Sequence, residues 1–105
     1  MKMIRAVIRP EKEDEVIKSL DNAGFPSVTK MDVLGRGKQK GIQVGTAVYD
    51  ELAKTMLLVV VEDASVEKAS AAISQAAKTG NYGDGKIFVS AVESATTIRT
   101  GKTSV

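Results

Sequence analysis

The 105-residue chain contains no cysteine and no histidine. Without cysteine there are no disulfides and no thiolate metal sites. Without histidine, the commonest metal ligand and neutral-pH general base is missing. Hydrolytic triads and zinc chemistry are thereby excluded. Runs of one charge are also absent: 15 Lys+Arg stand against 13 Asp+Glu, a net charge of +2, with no stretch of like charges long enough to suggest a nucleic-acid or acidic-membrane surface. No apolar run approaches the roughly 18 residues of a membrane span, and the first residues, Met1 to Arg5, lack the apolar segment of a signal peptide. A soluble cytoplasmic protein is the expectation. The length suits one domain spanning residues 1–105, with a core small enough that assembly would add much to its stability.

The chain is most informative at Thr79 to Val89, where Gly80, Gly83, Gly85 and Lys86 lead directly into the alternating run Ile87-Phe88-Val89. Glycines let backbone N–H groups converge on an anion without a Cβ in the way, and a lysine adds positive charge at the same place. Gly80 to Lys86 also fits the first seven positions of a P-loop, but Ile87 stands where a hydroxyl must hold magnesium. A helical pattern precedes these glycines and a strand pattern follows them, the reverse of the order that aims a helix N-terminus at phosphates. The P-loop is rejected and an anion-binding turn retained. A second cluster, Gly35-Arg36-Gly37-Lys38-Gln39-Lys40-Gly41, follows a strand pattern but has neither the spacing nor the following helix of a dinucleotide fingerprint.

Periodicity orders the rest. Met3 to Arg9 alternates as a half-buried strand, Pro10 opens a helix with Val16, Ile17, Leu20 and Ala23 on its apolar face, and Gly24 stops it. Val28 to Leu34 reads as a second strand, followed by an unusually long loop over about 37–53, of the kind that is commonly functional. The apolar run Thr55 to Val61 predicts a strand covered on both faces. Ser65 is positioned to cap a second helix with Val66, Ala69, Ile73 and Ala76 inward; Ile87 to Val92 predicts a fourth strand, and Thr96–Arg99 a short fifth. The resulting α+β order, βαββαβ, is ferredoxin-like. Two helices cover only one face of such a sheet, and the apolar residues of the other call for oligomerisation through it.

Taken together, Ile8-Arg9-Pro10, Gly35 to Gly41, Lys54, Thr79 to Val89 and Ile98-Arg99-Thr100-Gly101 resemble the landmarks of the PII nitrogen-regulatory signalling family, in order and over nearly the whole chain. The resemblance implies a homotrimer with sheets facing inward, ATP or ADP in clefts between subunits, and 2-oxoglutarate bound through magnesium on ATP. It implies that Gly83, Asp84, Gly85 and Lys86 surround the phosphates, that Arg99 reaches in from a cleft-lining subunit, and that Thr29, Gly35, Gly37 and Lys38 lie near the nucleotide. Gln39 would ligate magnesium. Lys54 would pair with the oxoacid carboxylate, assisted by Gln39, Lys40 and the backbone up to Gly41. Ile42, Gln43, Val44 and Tyr49 would face a target protein from the loop, and residues 100–105 would form a C-terminal tail.

Two departures from the family pattern stand out. The loop is a few residues short and lacks the motif around a modified tyrosine, so Tyr49 is expected to remain unmodified. Thr97 replaces a common phosphate-binding arginine, and Leu58 a common acidic partner of the lysine. The short loop and the stretch Met31 to Gly37 look most like the branch encoded beside nitrogenase, which implies nitrogenase as the target and a second, different PII-like subunit as a partner. Two alternatives remain open. A PII-like trimer could sense another small anion, or regulate an ammonium transporter or another metabolic enzyme. A slow ATPase could use Asp84 to orient water, though efficient turnover lacks parts.

Overall fold

The structure, a computed structural model, describes residues 1–36 and 51–105 and, between them, the strands at 42–44 and 47–49. Strand β1 (Lys2–Ile8) is followed by a 3₁₀ turn over Pro10–Lys12 and helix α1 (Glu13–Asn22). Then come β2 (Thr29–Gly35), β3 (Ile42–Val44), β4 (Ala47–Tyr49), β5 (Leu52–Val61), α2 (Val66–Ala77) and β6 (Gly85–Ala91). Four strands form one antiparallel sheet in the order β2-β5-β1-β6, and β3 pairs with β4. The two central strands are thus the first and third of the four, as the ferredoxin-like arrangement requires.

The alternation seen in the sequence decides which residues meet. Ile4, Ala6 and Ile8 of β1 and Thr55, Leu57, Val59 and Val61 of β5 are buried on one face, where Val16 and Leu20 of α1 and Ala69, Ala72, Ile73 and Ala77 of α2 cover them. Alanines on α2 allow α1 to approach closely enough for the Ser19 hydroxyl to donate to the Ala72 carbonyl at 2.8 Å. Thr55 is the one buried polar side chain among the described residues, and its hydroxyl donates to Glu13 at 3.0 Å. Glu13 also pairs with Lys30, and these two partners, Lys30 foremost, hold its carboxyl below the usual carboxylate range. The start of α1 is thereby fastened to β5 and β2 together.

The opposite face has no helix. Met31, Met56 and Val7 share one cross-strand row with Lys86, and Leu58, Arg5 and Phe88 share the next with Thr29. Met31 is 43% exposed and Phe88 51% exposed, so within one chain β5 is buried on a single face rather than on both.

The elements also depart from expectation in four places. Pro10 begins a 3₁₀ turn, and α1 proper starts three residues later. Ser65 closes a second such turn, Asp63–Ser65, with αR backbone angles, and its hydroxyl makes no capping bond to α2. Part of the expected loop is regular: β3 and β4 form a hairpin inside it, and β5 begins at Leu52. Thr96–Arg99 is not a strand. The Gly101 N–H donates to the Thr97 carbonyl at 2.8 Å and the Thr97 N–H to the Lys102 carbonyl at 2.8 Å, so the segment satisfies its own backbone as a turn and leaves no row for a sheet edge.

Candidate functional site

Residues 78–84 join α2 to β6, and the turn they make with Gly85 is ordered chiefly by polar bonds, since Tyr82, the only large apolar side chain in it, is 81% exposed. Asp84 is the hub. Its carboxylate accepts from the Thr79 N–H at 2.8 Å, the Gly80 N–H at 2.8 Å and the Thr79 hydroxyl, and from Arg9 Nε at 3.2 Å. The Thr79 hydroxyl bond is the largest of the influences that hold the Asp84 carboxyl far below the usual carboxylate range; the two amides and Arg9 act in the same direction. A carboxylate so occupied serves as a brace. The Asp84 side chain thus shapes, from within, the stretch Gly83 to Lys86 that the family resemblance implies would surround the phosphates.

The glycines have separate reasons. Gly83 and Gly85 have φ of 100° and 109°, in the left-handed region that side chains rarely adopt. A Cβ on Gly85 would lie 1.7 Å from the Val7 carbonyl oxygen, because this residue enters the ladder opposite Ile8 where β6 meets β1. The turn is consequently pressed against the end of the sheet.

Three cations converge there. Lys54, on β5 opposite Val33, donates from Nζ to the Gly83 carbonyl at 2.7 Å. Partial burial and then the nearby Arg9 charge push its ammonium below the usual lysine range. Lys86 leaves the turn at the first step of β6, exposed, on the sheet face shared with Val7 and Met56. Arg9, which sequence reasoning treated only as part of a family landmark, reaches into the turn from the end of β1. Its signal was present in the sequence as an arginine fixed before Pro10. Which residue it would meet, 75 positions away, was not.

Gly35 joins this group: a Cβ there would sit 3.4 Å from the Lys54 side chain, so the end of β2 and the base of the loop meet beside the turn. Thr29 does not join it within one chain. It stands at the other end of β2, opposite Leu58, about 20 Å away by strand rise. Arg99 lies exposed in the turn after β6 and makes no ion pair with the glycine turn among the described residues. Gly37, Lys38, Gln39, Lys40 and Gly41 fall outside the described residues, whereas Ile42, Gln43, Val44 and Tyr49 belong to the β3–β4 hairpin backbone. A depression of about 350 Å³ lies between α2 and the turn, lined by Ile73, Ala77, Asp84, Gly85, Lys86 and Ile87 among others; Lys54 and Arg9 are not part of its lining.

The chemistry available is anion recognition. Lysines and an arginine lie about a turn whose glycines carry no Cβ, and the Asp84 carboxylate among them is already committed to the turn.

Comparison with known proteins gives the family of the chain. The family model described as "Nitrogen regulatory protein P-II" matches residues 1–102. The chain is 60% identical over 100 residues, 95% of each chain, to "Nitrogen fixation nifHD region GlnB-like protein 1" of Methanothermobacter marburgensis. It is 51% identical over 105 residues, the full length of both, to the protein of the same name from Methanothermococcus thermolithotrophicus. To "Nitrogen regulatory protein P-II" of Rhodospirillum rubrum it is 47% identical over 106 residues, covering 97% of this chain and 95% of that one. With the fold, the glycine turn and the cations in place over nearly the whole length, the chain belongs to the nitrogen regulatory P-II family, in the branch of the nifHD-region proteins.

Proposed function

We propose that this protein is a signal transducer of nitrogen metabolism that binds ATP or ADP at the glycine turn, and 2-oxoglutarate beside Lys54, and acts on nitrogenase through the loop at 37–53. Its family and the nifHD-region names of its relatives support the nitrogen-regulatory reading. One observation carries the ligand reading: Lys54, at the base of the loop, donates to the Gly83 carbonyl of the turn at 2.7 Å. A single ammonium therefore touches both the element proposed to hold phosphates and the strand that leads out of the loop. An anion that draws Lys54 to itself changes both at once.

The residues present fit a nucleotide. Arg9, Lys54 and Lys86 supply positive charge, and Gly83 and Gly85 keep the turn free of side chains. Magnesium would arrive with the nucleotide, coordinated by its phosphates, with Gln39 proposed as the protein ligand; it would neutralise phosphate charge and bridge to the oxoacid. Among the described residues no group of three acidic side chains is placed to hold a metal ion. Thr29 and Arg99 have a place in this scheme as residues contributed by a neighbouring subunit, in a homotrimer closed through the open sheet face. A second PII-like subunit taking one of those positions belongs to the same proposal. No helix among the described residues is long and apolar enough to cross a membrane, and a cytoplasmic location is proposed.

Calorimetry and thermal shift with ATP, ADP and 2-oxoglutarate, singly and together, test the reading. At a ligand concentration 100 times its Kd, binding adds about 2.7 kcal/mol to stability, a readily measured shift. The expected pattern is stabilisation by either nucleotide, and by 2-oxoglutarate only with Mg-ATP. Lys54→Ala is expected to weaken the oxoacid response more than ATP binding. Stabilisation by neither nucleotide, or normal 2-oxoglutarate binding by the Lys54 variant, would overturn it.

A further inference from the structure

We propose that Arg9 is the positioning residue of the anion-binding turn, ordering residues 79–85 before any ligand arrives. The inference deepens the proposed function and rests on it for the identity of the anion, but not for the ordering itself. Pro10 keeps Arg9 extended, at φ −64° and ψ 137°, so this residue cannot be drawn into the helical turn that follows. Its guanidinium then spans the glycine turn. Nε donates to Asp84 at 3.2 Å and Nη2 to the Tyr82 carbonyl at 2.7 Å, on either side of Gly83. Gly83 lies directly beneath, where a Cβ would stand 3.1 Å from Nη2 and 3.4 Å from Cζ. Two partners held in fixed directions by one planar group require the fork of an arginine; a lysine carries the same charge without that geometry.

The bracing extends further through Asp84, which gathers the Thr79 and Gly80 amides at the start of the turn. Arg9 thus fastens one end of the turn through Asp84, the middle through Tyr82, and stands over the glycine between. Exposed Tyr82 offers no apolar anchor to take its place. An ordered turn spares a ligand the conformational entropy of arranging the backbone it packs against.

Arg9→Met and Arg9→Lys decide the matter, read by amide hydrogen exchange over residues 79–85 in ligand-free protein and by calorimetry with Mg-ATP. Both variants are expected to speed exchange of those amides and to bind ATP about tenfold more weakly, the equivalent of one hydrogen bond to a charged group. Exchange in β1 and β5 should stay as in the parent. Recovery of slow exchange and affinity by Arg9→Lys would show that charge alone matters and would overturn the proposal, as would unchanged exchange in Arg9→Met. A fall in Tm with exchange over 79–85 and ATP affinity both preserved would show a merely structural role and would overturn it equally. If the parent protein binds no ATP, the nucleotide reading fails, while the exchange comparison still decides whether Arg9 orders the turn.

Discussion

Replacing Gly85 with alanine puts the junction of turn and sheet to a severe test. The added Cβ would lie 1.7 Å from the Val7 carbonyl oxygen and 2.8 Å from the Val7 carbonyl carbon. An ordinary C···O approach is about 3.3 Å, so β6 has to retreat by roughly 1.6 Å at its first residue. The obstructing atoms are backbone in a paired central strand and have no side-chain torsion by which to move away. Retreat sacrifices the ladder bonds nearest the Ile8 and Gly85 pair, at about 1 kcal/mol each, and leaves their groups poorly satisfied. Alanine at φ 109° adds about 1–2 kcal/mol of backbone strain. The expected loss is about 3–4 kcal/mol, which for a domain of this size lowers Tm by upwards of about 12 °C.

Gly80→Ala is the matched control, because Gly80 also has a positive φ, of 89°, but a Cβ there meets nothing within 4 Å. It should lose only the strain, about 1–2 kcal/mol. Urea and thermal unfolding, with all proteins at one concentration because assembly makes Tm concentration-dependent, give the comparison. Equal losses for the two variants would refute the close approach of β6 to Val7.

Two other outcomes are expected. Asp84 has its carboxyl held below its unfolded value, so its contribution is present above the unfolded pKa of about 3.9 and is lost as pH falls toward the folded one. The stability advantage of the parent over Asp84→Asn should therefore be constant from neutral pH to about 5 and shrink steadily below about 4, measured by urea midpoints; an advantage independent of pH would show that ionisation is irrelevant to the brace. Phe88→Asp tests the open face: this position shares a row with Arg5 and Leu58, and the variant forfeits about 1.5–3 kcal/mol of apolar burial per subunit if that face is an interface. Light scattering should report monomers, and an unchanged assembled mass would show that the face is free.

Much of the fold was legible because strand and helix periods differ. Alternation at Ile4, Ala6 and Ile8, and helical spacing at Val16 and Leu20, each named the buried face correctly. The misread segments have local alternatives of similar strength. Ser65 and Pro10 both mark helix starts, yet each sits in a 3₁₀ turn ahead of the helix, and Thr96–Arg99 has strand-like composition but closes on itself through Gly101. The site was legible as a set of residue types rather than as roles. Lys54 and Asp84 were both named from the family landmarks as ligand-site residues, but that Lys54 reaches the Gly83 carbonyl and that Asp84 braces the turn through Thr79 and Gly80 depend on contacts no residue type announces.

Chain order and residue period alone determined the βαββαβ order, the inward faces of β1, α1 and α2, and the presence of a glycine-rich turn between α2 and β6, since each depends on neighbours a few residues apart. Only the tertiary structure decided that Arg9 and Lys54 meet that turn from two different strands, and that Gly85 lies against Val7. Those facts follow from strand register and chain crossing, which join residues dozens of positions apart, and no local pattern encodes which distant partner a charged side chain will find.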